Sequence, residues 1–368
     1  MNISSFDLFS INISATYPLY LAYRNAGASP DLIVPAILVF VPASLGVILN
    51  AFVVFTTIKA KNLRAGTANF LMLLICLFEV GHQSGQIVFL VIVASGTNFV
   101  GLFKADLFVT PMIFCVNANM MAMFCASSDR LFAIASPFKH KQVSTQHKFV
   151  YLFCHTLLCA LFGLYSLFYV LSYGIQNSGI PTTGCICEIL SNDAIRNRYF
   201  INTTLLNLAC IVCYVIIGVL IRCKKGVTVE TNTRLLRSLK VILLVSVGGY
   251  LFNLSVYQLA FTFQQQLGPY VRIWQFTFVA AIFLNISAAA NAPILYLNST
   301  EYRKAFKREF GKLRRSFSIK RNALVSPSTA NVVHVEPRQQ QQSIQIAANG
   351  VRRSSFNHQS QSFAVNRF

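Results

Sequence analysis

The sequence predicts an all-α membrane protein: a seven-transmembrane helix bundle, then a short amphipathic eighth helix and a disordered tail. Three observations carry this. Only 11% of the 368 residues are charged and 55% are hydrophobic, whereas a soluble domain carries about 25% charge. Seven apolar stretches, Leu32–Ile58, Ala68–Val93, Leu107–Ser127, Phe149–Leu171, Tyr199–Ile221, Leu239–Phe263 and Val271–Leu297, each reach the ~20 residues that span hydrocarbon. Within them apolar residues run continuously instead of alternating, which selects helices over a barrel.

The charges orient the chain. With the amino terminus outside, Arg24, Lys104, Arg196, Arg198 and Arg272 face out, and the other Lys and Arg residues fall inside, from Lys59, Lys61 and Arg64 to the tail. This is the positive-inside bias of a multi-pass protein with a cytoplasmic carboxyl terminus, and the expected location is the plasma membrane. The net charge of +20 is thereby referred to the lipid bilayer and its anionic inner leaflet, and nucleic acid is not expected as a partner. The expected divisions are an extracellular segment over 1–31, the bundle over 32–297, an amphipathic helix over 298–315 and a disordered cytoplasmic tail over 316–368.

In the leader, Asn2-Ile3-Ser4 and Asn12-Ile13-Ser14 are glycosylation sequons on the outer side. It lacks the basic start and cleavage site of a signal peptide, so the first helix is expected to serve as the insertion signal. In that helix Gly46 allows close approach of a neighbour, and Asn50 can hydrogen-bond across the bundle. The second stretch carries Glu79, His82, Gln83 and Gln86 at i, i+3, i+4 and i+7, one polar face that must look into the bundle or a watery cavity. Asn119 precedes Arg130 by eleven residues, about three turns, so the two share a face and Asn119 stands at the depth of Glu79. A glutamate hydrogen-bonded to the asparagines or His82 is the plain alternative to a functional acid there.

The third stretch ends in Ser128-Asp129-Arg130-Leu131-Phe132-Ala133-Ile134-Ala135-Ser136-Pro137. Charges at the edge of hydrocarbon are costly and by default functional, the plain alternative being a paired charge whose arginine reaches for water. The loop from Arg222 to Lys240 holds six basic residues and one acid, Glu230. In the seventh stretch, Asn291-Ala292-Pro293-Ile294-Leu295-Tyr296 places a proline that removes a backbone bond and permits a kink. Beyond it, Tyr302, Phe306, Phe310 and Leu313 share one face amid basic residues, as an interfacial helix requires.

Taken in order, Asn50, Glu79 ten residues after Asn69, Asp129-Arg130 with Ile134 and Pro137, Pro293 with Tyr296, and Glu301-Tyr302-Arg303-Lys304-Ala305-Phe306 resemble rhodopsin-like G-protein-coupled receptors over residues 32–313. The pattern departs from that family. Leu131 replaces a tyrosine, one residue separates Asn291 from Pro293, the sixth stretch lacks Cys-Trp-x-Pro, and the fourth and fifth lack their tryptophan and proline. These departures, the many phenylalanines and His82-Gln83 resemble nematode serpentine chemoreceptors of class SX.

The resemblance implies an extracellular ligand, either a small chemical cue or a peptide, and a heterotrimeric G protein as partner, with arrestin and receptor kinases as further ones. It implies an activation switch of Asp129, Arg130, Tyr214, Pro293 and Tyr296, and a polar relay or sodium/proton site of Asn50, Glu79, Asn119 and Asn291. A sodium ion near Glu79 is the only cofactor it suggests. Met112 stands where amine receptors carry an aspartate, and no lysine lies in the seventh stretch for retinal, so neither ligand is expected. Ala105 occupies the usual cysteine position and Cys115 lies about 15 Å deeper, which leaves Cys185 and Cys187 reduced, joined to each other or linked to another chain.

By depth and face, Gln83, Gln86, Thr110, Met112, Ile113 and Val116 are the candidate ligand-facing residues. Ser316, Ser318, Ser354 and Ser355 follow arginines in the manner of basic-directed kinase sites. No catalytic constellation is present in the sequence: it has no metal-ligand spacing, nucleophile elbow or phosphate-cradling glycine loop, so an enzyme is not expected. The alternatives are a transporter or channel, with the Glu79 stripe lining its path, and a non-signalling trafficking partner of other receptors.

Overall fold

The computed structural model describes residues 17–191, 193–223, 230–263 and 270–325. Asn2, Asn12, Ser354 and Ser355 lie outside them, as does the tail beyond Val325. Seven apolar helices form the bundle: α1 (Pro30–Lys59), α2 (Thr67–Ser84 and Gln86–Ala94), α3 (Leu102–Ala135), α4 (Lys148–Gln176), α5 (Asp193–Cys223), α6 (Glu230–Thr262) and α7 (Tyr270–Ala289 and Asn291–Asn298). Among the described residues, all but α6 are long and apolar enough throughout to cross a membrane, and α6 contributes the shorter apolar run Leu244–Ala260. An eighth helix, α8 (Thr300–Val325), follows. The compact unit that holds the bundle reaches Arg314, and the rest of α8 belongs to a second unit. The helix, which carries Ser316 and Ser318, thus runs past the boundary expected at residue 315.

Local sequence explains the helix ends. Pro30 and Asp31 open α1, where a missing N–H costs nothing and a carboxylate suits the positive end of the helix dipole. The segment between α4 and α5 includes the helix Ile186–Ser191, and Pro137–Gln146 bridges α3 to α4. Between α2 and α3, Val100–Gly101 pairs antiparallel with Pro181–Thr182, which follows α4. Asn98, with φ 59°, donates through Nδ2 to the Tyr23 and Gly27 carbonyls, tying the amino-terminal segment to the α2–α3 turn. At the other end Arg303 Nε donates 2.8 Å to the Tyr296 carbonyl and its Nη2 to that of Leu297, capping the exit of α7.

The break in α7 has the physical cause expected of Pro293. Proline cannot donate to the carbonyl four residues back, which belongs to Ala289, and the helix is interrupted after that residue.

The polarity is inverted relative to a soluble protein. Large apolar side chains such as Leu38, Val41, Ile48, Phe149 and Phe168 face outward, whereas Asn50, Glu79, His82, Gln83, Asn119 and Asp129 are buried. Lipid solvates the first set, and the second can be satisfied only inside the bundle. Glycines set the close approaches: a Cβ on Gly163 of α4 would meet the Phe114 ring at 2.8 Å and the Phe114 carbonyl at 3.0 Å on α3. Gly163→Val is therefore expected to force the two helices apart at a cost of roughly 1–3 kcal/mol, visible as a lower midpoint of thermal inactivation in detergent micelles. An unchanged midpoint would show that this contact yields without cost.

Candidate functional site

Polar side chains gather at three depths. Nearest the β-pairing is a cavity of about 50 Å³, roofed by Cys185, Ile186, Cys187 and Leu190 and walled by His82, Gln86, Val116, Tyr199, Asn253, Tyr257 and Asn285, with Arg196 and Gln258 contributing. Among the described residues no carboxylate lines it. Glu188 supports the roof: its Oε2 accepts from Thr182 Oγ1 at 2.8 Å and from the Thr183 amide at 2.7 Å. Burial raises the Glu188 pKa against the pull of those hydrogen bonds. All ten cysteines carry free thiols, Cys185 and Cys187 among them, and Cys115 packs against Gly81 in the α2–α3 contact.

Of the six expected ligand-facing residues, Gln86 and Val116 line this cavity and four do not. Gln83 turns the other way: Gly46 leaves room for its amide, Nε2 donates 3.1 Å to the Asn285 carbonyl, and Oε1 accepts from Asn50. Met112 fills the space beside Gly85, where a Cβ would lie 2.4 Å from its own. Ile113 is fully buried in the core, and Thr110 bonds back to the Asp106 carbonyl at 2.8 Å. Residues that the sequence reading missed include Asn253 and Tyr257, whose i, i+4 spacing on the sixth stretch was the available signal.

The middle layer centres on Glu79. Asn119 Nδ2 donates 2.7 Å to Glu79 Oε1 and lies 3.3 Å from the Tyr250 hydroxyl, which itself stands 3.5 Å from the same oxygen. His82 Nδ1 is 3.0 Å from Oε2. A second group shares α2 through Gln83: Asn50 Nδ2 donates to the Gly46 and Ala288 carbonyls, both at 3.0 Å, and Asn291 Nδ2 donates to Asn50 Oδ1 at 3.0 Å. The four expected relay residues thus form two adjacent groups joined by α2, with Tyr250 added from α6.

The inner layer is an ion cluster on Asp129. One carboxylate oxygen takes Arg130 through Nε at 2.9 Å and through Nη2; the other takes His140 Nε2 at 2.9 Å and the Tyr151 hydroxyl at 3.0 Å. Asp129 is fully enclosed, as a charge at this depth requires. Tyr214 lies near Ser127 and Arg130, with no hydrogen bond between its hydroxyl and the arginine. Tyr296 faces away from the bundle, stacked on Phe306 at 6.4 Å beside the Arg303 guanidinium. The five expected switch residues therefore do not meet in this conformation: Asp129 and Arg130 are joined, Tyr214 is adjacent, and Pro293 and Tyr296 stand apart.

Seven apolar helices around a cavity, a buried polar middle and an Asp-Arg cluster define a multi-pass helical membrane protein. The model of the serpentine type 7TM GPCR chemoreceptor Srsx family matches residues 43–310, from α1 into α8, and the chain belongs to that family. No curated protein matches it.

Two predictions follow from the middle and inner layers. Glu79→Ala leaves His82, Asn119 and Tyr250 without their shared acceptor and is expected to cost roughly 3 kcal/mol, whereas Glu79→Gln keeps one acceptor and loses less. Thermal unfolding of the two purified variants should rank them in that order. Tyr151→Phe together with His140→Phe strips two donors from Asp129, and basal second-messenger output at matched surface level should rise severalfold; unchanged output would show that those donors only support the fold.

Proposed function

We propose that the chain senses a small extracellular molecule in the cavity under Cys185 and Cys187 and transmits its presence to a heterotrimeric G protein, acting in the plasma membrane with its amino terminus outside. The observation that carries this reading is the stacking of the three layers: Gln86, His82 and Glu79 lie on successive turns of α2, leading from the cavity wall into the network, and α3 continues through Asn119 to Asp129. A ligand that binds one arrangement of these contacts better than another shifts an existing equilibrium by that difference in affinity. The walls are mostly apolar, with Val39, Phe200, Leu254, Phe278 and Leu284 beside the amides of Gln86, Asn253 and Asn285 and no carboxylate among the described residues, which favours a neutral, largely apolar ligand over an amine.

Around Glu79, Asn119 Oδ1 is buried with no hydrogen-bond partner, and Asn285 and Asn291 also hold back buried carbonyl oxygens. Hard oxygens of this kind suit a sodium ion, and the proposal includes one there. Receptor kinases acting on Ser316, Ser318, Ser354 and Ser355, with arrestin reading the product, complete it.

The test is second-messenger output in cells challenged with mixed volatile and water-soluble chemicals, at matched surface expression. Arg130→Ala should abolish the response. Asn253→Ala and Tyr257→Phe should each raise the half-maximal concentration about tenfold, the worth of one lost hydrogen bond at ~1.4 kcal/mol, and Thr110→Ala should leave it unmoved. Uptake or ion flux indifferent to Arg130 would overturn the receptor reading in favour of a transporter.

A further inference from the structure

The inner halves of α5 and α6 stand apart and leave a groove of about 590 Å³ on the lipid-facing side of the bundle. Its walls are apolar: Ile211, Val215 and Val219 from α5 face Leu244 and Val247 from α6, and Leu244 is 70% exposed. Gly218 forms part of the floor, where an added Cβ would meet no atom within 4 Å. Tyr214 and Cys210 close the groove toward the core, and Arg222 marks its end.

We propose that this groove seats one acyl chain of an anionic inner-leaflet phospholipid, whose headgroup is held by Arg222. The placement rests on the orientation proposed above. From Cys210 to Arg222 the helix rises about 18 Å, close to half of the ~30 Å hydrocarbon core, so the groove has the length of one leaflet and the arginine stands at headgroup depth. Charge selects the headgroup. Arg222 is followed in the chain by Lys224, Lys225, Arg234, Arg237 and Lys240, against the single acid Glu230, and each basic residue near an anionic surface is worth about 1 kcal/mol. On α4, Phe149, Phe153, Leu157 and Leu161 project outward and none of them lines this groove, so that face serves as the comparison surface. A chain seated between α5 and α6 lies against Tyr214, which stands beside Arg130, so the lipid composition of the inner leaflet bears directly on the inner layer.

The experiment uses the full chain in nanodiscs of phosphatidylcholine and phosphatidylserine, with either lipid carrying a diazirine in its acyl chain, and maps crosslinks by mass spectrometry. Phosphatidylserine labelling should concentrate on Cys210–Arg222 and residues 244–247, well above that on α4. Gly218→Trp and Leu244→Trp, which fill the groove from opposite walls, should each reduce it severalfold. Arg222→Ala should reduce phosphatidylserine labelling roughly fivefold, the equivalent of one basic contact, and leave phosphatidylcholine labelling unchanged. Labelling equal on α4 and in the groove, labelling indifferent to both tryptophans, or equal labelling by the two lipids would each overturn the proposal.

Discussion

A carboxylate inside a lipid-embedded bundle has no water to turn to, and the architecture follows from how Glu79 and Asp129 are satisfied. Glu79 is met by groups from α2, α3 and α6, and the neighbouring Asn50, Gln83 and Asn291 group adds α1 and α7. Asp129 is met by Arg130 on its own helix, His140 in the following segment and Tyr151 on α4. Six of the seven helices are thus pinned to one another by polar contacts around these two acids. Apolar packing cannot supply that specificity here, because lipid tails solvate Leu and Phe as well as another helix does.

Such pinning also makes a switch possible. Each cluster joins donors from separate elements to one acceptor, so moving any helix trades several hydrogen bonds at once and favours discrete arrangements over gradual deformation. The cavity, whose wall includes His82, connects with the Glu79 cluster through that residue. Pro293 and the interruption after Ala289 leave the inner end of α7 with one backbone bond fewer to break.

The helices were legible in the sequence because hydrocarbon imposes a length and a composition that no local preference can disguise. So was the close approach at Gly46, and so was the pairing of Glu79 with Asn119, because helical periodicity and depth fix both. What was illegible was direction within the bundle interior. Gln83 and Gln86 belong to one stripe, yet one faces α1 and the other the cavity, and a difference of three residues in a helix interrupted at Gly85 cannot be resolved by depth alone. Depth also could not separate cavity-lining from packed residues on α3: Met112 sits against Gly85 of α2 and Ile113 is buried, so neither lines the cavity, whereas Val116 does. Tyr250 was missed because its contact with Glu79, 171 positions apart, leaves no trace in local spacing, and His140 and Tyr151 because they reach Asp129 from other helices, 11 and 22 positions on, after the chain has turned back.

The central claim is that the Glu79 cluster couples the cavity to the inner end of the bundle. Cys223, exposed at the inner end of α5, offers a native position for a trifluoromethyl label once the other exposed thiol, Cys154, is replaced by serine. The most direct test is the ¹⁹F spectrum of that label in nanodiscs, compared between the otherwise native chain and Glu79→Gln. If the cluster couples the two ends, the spectrum contains more than one resonance and the substitution changes their ratio. Superimposable spectra would contradict the account and leave Glu79 a structural residue alone.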